Sequence, residues 1–322
     1  MFFTHSRLKP ELRTQMKTDQ PLFLTEEQVR EHLSMSKLVP AMEKALTDFS
    51  AGRVTQPVRS IIGINPPGGF LGLMPALTPD GLGLKAVTFY PSNVDRGIPT
   101  HMATIFLVDP QTGTPLAIMD GRLITEMRTA AVSAAATKLL ASRDAKVLAI
   151  LGSGVQARSH VEALQLVRHF EEIRIWSPTF EHAKQFAEEI GGTAVPAEQA
   201  VRGADVIVTV TSSKTPVLKG AWLKSGCHVN AVGACRPDWR ELDDEAMRNV
   251  LFVDSRAGAM KESGDVILSS AEIYAELGEA LAGKVPSRAN ETTIFKSLGM
   301  AVEDIAAASL VHRSYLHLKA GN

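Results

Sequence analysis

Val147-Leu148-Ala149-Ile150-Leu151-Gly152-Ser153-Gly154-Val155-Gln156-Ala157 is a run of buried-strand residues that breaks at once into G-x-G-x-x-A. A short, wholly apolar run bounded by glycine fits a strand covered on both faces. Gly152 permits a tight turn, Gly154 lets the backbone approach a pyrophosphate, and the small Ala157 lets the next helix pack closely on the strand. That helix offers free amides and a favourable dipole to phosphate oxygens at its N-terminus, where Val155 and Gln156 stand. Alone the pattern is weak. Its place between a strand and a helix makes Gly152, Gly154, Val155, Gln156 and Ala157 a dinucleotide cradle.

Downstream, strand-like runs at Ile173–Trp176, Val206–Val210, Val229–Val232 and Leu251–Val253 alternate with helical patterns near Val155–Val167 and Glu181–Ile190. Such alternation predicts an α/β class, a Rossmann-type doubly wound parallel sheet. Thr211 and Val232 then fall at strand ends beside the cofactor. Cofactor choice is read after the second strand, where an acid would bind the ribose hydroxyls of NAD. Here the strand ends in Ser177-Pro178-Thr179 with no carboxylate. Ser177 and Thr179 tolerate a 2′-phosphate, so NADPH is expected and NADH remains open; Ser177-Pro178 also reads as an ordinary turn.

Upstream the pattern differs. Thr25-Glu26-Glu27-Gln28 has capping-box spacing, and ordered structure is expected to begin there. β-like runs follow at Val58–Ile64, Phe70–Met74, Leu82–Tyr90 and Thr104–Val108, with turn-forming Asn65-Pro66-Pro67-Gly68-Gly69 joining the first pair. Tight turns between strands predict an antiparallel or mixed sheet, hence a second, α+β unit. Leu123–Ala141 reads as a long helix, and a last helix from Met300 to about Leu318 can pack back onto the first half. The expected division is a flexible extension over 1–21, a first unit of 22–125 plus 292–322, and a dinucleotide-binding unit over 126–291.

Composition narrows the function. The 322 residues include 34 basic and 35 acidic ones, net charge −1, so nucleic acid is not an expected partner. No apolar run reaches the ~20 residues of a membrane span. Two cysteines, Cys227 and Cys235, make neither a zinc pattern nor a disulfide framework, and residues Met1–Gln20 lack the apolar core of a signal peptide. A reducing cytoplasm and no metal are expected.

Several longer blocks go beyond these patterns: Thr55-Gln56-Pro57-Val58-Arg59, Leu73-Met74-Pro75-Ala76, Arg128-Thr129-Ala130-Ala131-Val132, Asn230-Ala231-Val232-Gly233-Ala234, Arg236-Pro237-Asp238-Trp239-Arg240-Glu241-Leu242, Lys261-Glu262-Ser263-Gly264-Asp265-Val266, and Phe295-Lys296-Ser297-Leu298-Gly299-Met300 with Ala301-Val302-Glu303-Asp304. With them the chain, from about Leu22 to Leu318, resembles the ornithine cyclodeaminase/mu-crystallin family. The resemblance implies a homodimer, a first unit that binds substrate and forms the dimer, and NAD(P)H-dependent reduction of cyclic ketimine carboxylates. It places Arg59 and Arg128 on the substrate carboxylate, and Lys85 as the active-site lysine. It also places Phe70, Met74, His101, Cys235 and Arg236 around the substrate, and Thr129 and Leu298 near the cofactor. Paired guanidiniums suit a carboxylate through parallel hydrogen bonds, and burial tunes a lysine toward proton transfer. Read from the residues alone, Lys85 is equally an exposed lysine on an alternating strand, and Arg59 or Arg128 a structural tie.

Departures inform the choice of activity. Ornithine cyclodeaminases carry a glutamate where this chain has Gly72 and an aspartate where it has Cys235. Lacking both carboxylates, the chain resembles the reductases more than the cyclodeaminases or amino-acid dehydrogenases. Crystallin-type members have an arginine at the position of Pro178, whose loss removes one 2′-phosphate partner. They also imply thyroid hormone as a second ligand.

Overall fold

The computed structural model describes residues 20–66 and 68–320. The expected extension over 1–21 lies outside the described residues except for its last two. Two sheets carry the architecture. The first contains β1 (Leu22–Leu24), β2 (Ser60–Ile64), β3 (Gly69–Thr78), β4 (Gly81–Phe89), β5 (His101–Val108) and β6 (Pro115–Asp120), in the order β1-β6-β5-β4-β3-β2. Its pairings are antiparallel except for β1 on β6, which is parallel. The mixed sheet expected from the turns is therefore present. Ordered structure begins before Thr25, because β1 gains its hydrogen bonds from β6, a distant partner with no local signature. The capping box is formed: Gln28 N donates to Thr25 Oγ1, and Thr25 N donates to Gln28 Oε1 at 3.0 Å.

The second sheet contains β7 (Val147–Leu151), β8 (Glu172–Trp176), β9 (Thr193–Ala194), β10 (Val206–Thr209), β11 (His228–Ala231), β12 (Val250–Val253), β13 (Ile273–Glu276) and β14 (Thr293–Lys296). All its pairings are parallel, and the order is β13-β12-β14-β11-β10-β7-β8-β9. β14 corrects the expected division, which gave 292–322 to the first unit. All four of its residues are buried between β11 and β12, so only the helix after it returns to the first sheet.

The helices are α1 (Glu26–His32), α2 (Met35–Ser50), α3 (Arg122–Leu140), α4 (Val155–Gln165), α5 (Phe180–Ile190), α6 (Ala197–Val201), α7 (Asp244–Met247), α8 (Arg256–Glu262), α9 (Gly264–Ser269), α10 (Leu277–Leu281) and α11 (Ala301–Ala320). Alanine-rich α3 is buried along most of its length and packs on both α2 and α4. A division at 125/126 cuts through this helix, whose small side chains let neighbours approach from both sides. α11 packs against β3, β4, β5 and α2. Among the described residues, no helix is long and apolar enough to cross a membrane.

Two buried histidines join neighbouring elements, His160 linking α4 to α3 and His228 linking β11 to β14. His160 is fully buried; its Nδ1 donates to Gln156 O at 2.7 Å, so Nε2 accepts from Ser133 Oγ at 2.9 Å. His228, also fully buried, lies 2.9 Å from Thr293 Oγ1 and 3.3 Å from Asn230 Oδ1. Burial pushes their pKa values down to about 4 and about 3, so both are neutral in the fold. The unfolded chain protonates them near pH 6.5, and the folded one only near pH 3 to 4. Their contribution to stability is intact above pH 6.5 and is lost progressively as pH falls toward 4, by up to about 1.4 kcal/mol per histidine per pH unit. Urea midpoints measured from pH 7.5 to 5 should therefore drop. His160→Gln, which cannot be protonated, should flatten part of that slope.

Candidate active site between the two sheets

Side chains alternate across a strand, so one face of the first sheet presents Phe70 and Met74 from β3, Lys85 and Phe89 from β4, and His101 from β5. These residues line a cavity of about 600 Å³. Its other walls come from Arg59, from Arg128 and Thr129 on α3, and from Gly154, Val155 and Gln156 at the start of α4. Thr211 and Val232 close it at the ends of β10 and β11, Cys235 and Arg236 follow β11, and Leu298 and Gly299 precede α11. The structure thus gathers most of the expected site residues from chain positions more than two hundred apart.

Four expected cofactor residues stand back from the lining. Gly152 makes the turn at φ 135°, and a Cβ there would lie 2.9 Å from Val210 O. Ala157 is fully buried beneath α4. Ser177 is buried and hydrogen-bonded to Ser153 Oγ at 2.9 Å, while Thr179 is the N-cap residue of α5 without a side-chain cap bond. A Cβ at Gly154 would meet nothing within 4 Å, leaving the helix start open to a ligand. An open helix terminus, a glycine turn and a second strand ending in hydroxyls fit a dinucleotide.

The charged groups form one network. Lys85, only 1 % exposed, places Nζ 2.7 Å from Asp304 Oδ2. The other oxygen of Asp304 accepts from Arg128 Nε at 3.0 Å, and Arg128 Nη1 donates to Glu303 Oε2 at 2.7 Å. Arg59 Nη2 donates to Leu298 O and Gly299 O at 3.1 and 2.9 Å, and its Nε lies 3.0 Å from Glu262 Oε1. Buried Asp254 accepts from the amides of Leu298 and Gly299 at 2.5 and 2.8 Å, fixing that loop. Arg128 Nη2 and Arg59 Nη1 make no hydrogen bond among the described residues.

Burial sets the titration of the cluster. Desolvation lowers Lys85 to about 8, against the attraction of Asp304. Desolvation, aided by repulsion from Lys85, lowers His101 to about 4, so its ring is neutral. Burial raises Glu303 to about 7, with Arg128 opposing. An ammonium group that ionises close to neutrality, inside an apolar cavity, is suited to giving up a proton.

Gly72 lies between Phe70 and Met74 on the cavity-facing side of β3, where a carboxylate would have to compete for space with Val87 and Ile61. Cys235 is exposed. Among the described residues no group of three or more His, Cys, Asp and Glu could hold a metal. Sequence reasoning gave no role to Asp254, Glu262, Glu303 or Asp304. The adjacent acids Glu303 and Asp304 carried a usable signal, since the rest of Ala301–Val311 is apolar apart from Ser309. Such a doublet on an apolar helix must meet buried cations.

The family model for the ornithine cyclodeaminase/mu-crystallin family matches residues 19–319. Ketimine reductase mu-crystallin of Mus musculus is 52% identical over 305 residues, covering 92% of this chain and 97% of that protein. Among solved structures, Thermococcus litoralis Delta(1)-pyrroline-2-carboxylate reductase, in complex with NADH and L-proline, is similar at TM-score 0.88 with 36% identity, covering 92% of this chain and 98% of that one. An archaeal alanine dehydrogenase dimer with bound NAD is similar at TM-score 0.88 with 35% identity, covering 93% and 97%. Blocks spread over nearly the whole length, and the same two-sheet frame, leave one conclusion: the chain belongs to the ornithine cyclodeaminase/mu-crystallin family.

Proposed function

We infer that this chain is an NAD(P)H-dependent reductase of cyclic ketimine carboxylates, such as piperideine-2-carboxylate, pyrroline-2-carboxylate and thiomorpholine-type analogues, which it returns as saturated cyclic imino acids. The observation that carries this reading is the buried Lys85–Asp304 pair opening on the same cavity as the start of α4. The nicotinamide cofactor, when bound, supplies the hydride. The protein orients the substrate: Arg59 and Arg128 grip its carboxylate through Nη1 of Arg59 and Nη2 of Arg128, which have no partner among the described residues. Lys85 Nζ donates the proton that the ring nitrogen requires, and neutral His101 offers a hydrogen bond without adding charge. Met74 and Val87 keep water from the reacting face.

Since Lys85 acts in its protonated form, turnover holds below about pH 8 and falls as pH rises through that value. The test follows oxidation of NADPH and of NADH with enzymatically generated piperideine-2-carboxylate across pH 6 to 10, and gives the cofactor preference directly. A protein that binds NADPH but turns over no cyclic ketimine would refute the reductase reading.

Arg236 favours a second ligand in the same cavity. Its guanidinium lies 5.1 Å from the Phe70 ring, 5.7 Å from Phe89 and 5.1 Å from Trp239. An aromatic amino acid such as thyroid hormone would share the carboxylate anchors and meet this aromatic wall, competing with the ketimine. Gly72 and Cys235 leave the site without the carboxylates of a deaminating cyclisation, so neither a cyclodeaminase nor an amino-acid dehydrogenase is favoured.

The same proposal covers assembly and setting. Leu71, Leu73, Leu84 and Phe106 alternate onto the outer face of the first sheet with the exposed Phe23, Ile62, Leu77 and Met102. So broad an apolar face supports a homodimer formed through the first unit. Two unpaired cysteines, Cys227 and Cys235, fit the reducing cytoplasm.

A further inference from the structure

Behind the cavity wall lies a carboxylate that the reaction does not use. Glu241 is fully buried, and its side chain accepts four hydrogen bonds. Oε1 takes the amide and the hydroxyl of Thr211, both at 2.6 Å, and Oε2 takes the Thr209 hydroxyl at 2.8 Å and the Gly233 amide at 2.7 Å. Two of these partners, the amides of Thr211 and Gly233, can only donate, one to each oxygen, while the threonine hydroxyls can donate or accept; burial raises the Glu241 carboxyl above its ordinary value, against the pull of Lys296. The backbone of Glu241 is pinned as well. Its amide and that of Leu242 donate to Asp265 Oδ1 at 2.7 and 3.0 Å, and Asp265 Oδ2 lies 3.0 Å from Lys296 Nζ. Asp265 and Lys296 are likewise fully buried, so two acidic side chains and a lysine sit together in the core.

The partners of Glu241 are not scattered. Thr209 ends β10, the strand beside β7 and its glycine turn, Thr211 follows it, and Gly233 follows β11, the next strand beyond β10. Thr211 and Gly233 line the cavity, and Val210 between the threonines touches Gly152. In an open parallel sheet the dinucleotide lies across the carboxyl ends of the strands. Loops at such ends have no ladder to hold them, and an acidic side chain buried beneath them costs heavily unless it is hydrogen-bonded, as Glu241 is to both loops.

We propose that Glu241 is the positioning residue of the cofactor floor: its carboxylate, braced by Asp265 and Lys296, ties the ends of β10 and β11 at the height at which they meet the dinucleotide. Glu241 touches no ligand itself; it acts through Thr211 and Gly233. The proposal rests on dinucleotide binding, the part of the proposed function that it deepens.

Two variants test it by binding rather than turnover, read from quenching of protein fluorescence on titration with NADPH. Glu241→Gln keeps the shape but turns an NH₂ toward two of the donors, and the dissociation constant should rise at least about tenfold. Thr209→Val removes one bond to Glu241 at a fully buried position outside the cavity lining, so it cannot act by touching the cofactor. It should weaken NADPH binding about threefold, Thr209→Ser should restore it, and Thr209→Val should add nothing in the Glu241→Gln background. Should Glu241→Gln not fold, the two threonine variants decide alone. A lowered melting temperature with NADPH affinity unchanged in Thr209→Val would reduce Glu241 to a structural group and overturn the proposal. If the unaltered protein bound no dinucleotide, the proposed function itself would fall instead.

Discussion

Lys85→Met is expected to lower kcat for ketimine reduction by about a thousandfold while NADPH still binds. Methionine fills nearly the same space, so the change removes the proton and the charge without opening a hole between β4 and α11. Asp304 keeps its Oδ1 bond to Arg128, while its Oδ2 loses the ion pair with Lys85, so some loss of stability accompanies the change. Because Lys85 lies on the first sheet and the glycine turn on the second, the effect should fall on kcat rather than on cofactor affinity. The residual rate should also lose the decline near pH 8 that Lys85 imposes. Steady-state rates for both proteins across pH 6 to 10 measure this. A variant retaining more than about a tenth of the turnover would show that another group, or water, delivers the proton.

The second large effect concerns Asp304→Asn. One carboxylate balances Lys85 through Oδ2 and Arg128 through Oδ1, and all three groups are buried. An amide of the same shape leaves two cations without their shared counter-charge. Breaking a buried pair in this way costs about 3–5 kcal/mol, to be read from the urea midpoint. The variant should also move the alkaline limb of activity below pH 8, since desolvation of Lys85 by its apolar neighbours would no longer be offset by Asp304, while Arg128, Arg59 and His101 face the lysine as before. The limb separates a specific role from mere loss of stability. An unmoved limb in a folded, weakened variant would mean that Lys85 is not the group titrating.

Residues 147–157 were legible because the constraint there is local: a strand, a turn that only glycine can make, and a helix start follow one another within eleven positions. The capping box at Thr25 was legible for the same reason. β1 and β6 escaped because each is a short run stabilised by the other from across the sheet. β14 was grouped with the last helix and so placed in the wrong unit, since position within a sheet follows from pairing partners and not from the residues' own pattern. The site shows the same split. Lys85 and Arg128 could be named, but nothing near them announces Asp304 or Glu303, and Glu241 reads as an ordinary member of a charged surface stretch, Arg240-Glu241-Leu242-Asp243-Asp244-Glu245. Whether a carboxylate is solvated or serves as a buried clamp depends on what folds over it, which is long-range information.

The dependence of Lys85 on α11 bears on how the protein comes into being. Residues 85 and 304 are separated by 304 − 85 = 219 positions. A growing chain emerges from the ribosome N-terminus first, so the first sheet leaves the exit tunnel long before its counter-ion exists. During that interval burying a charged Lys85 would leave it without its partner, at a cost in free energy. The ion pair of Lys85 can therefore be completed only when the last helix docks, and a product lacking α11 would lack the partner of its reacting group.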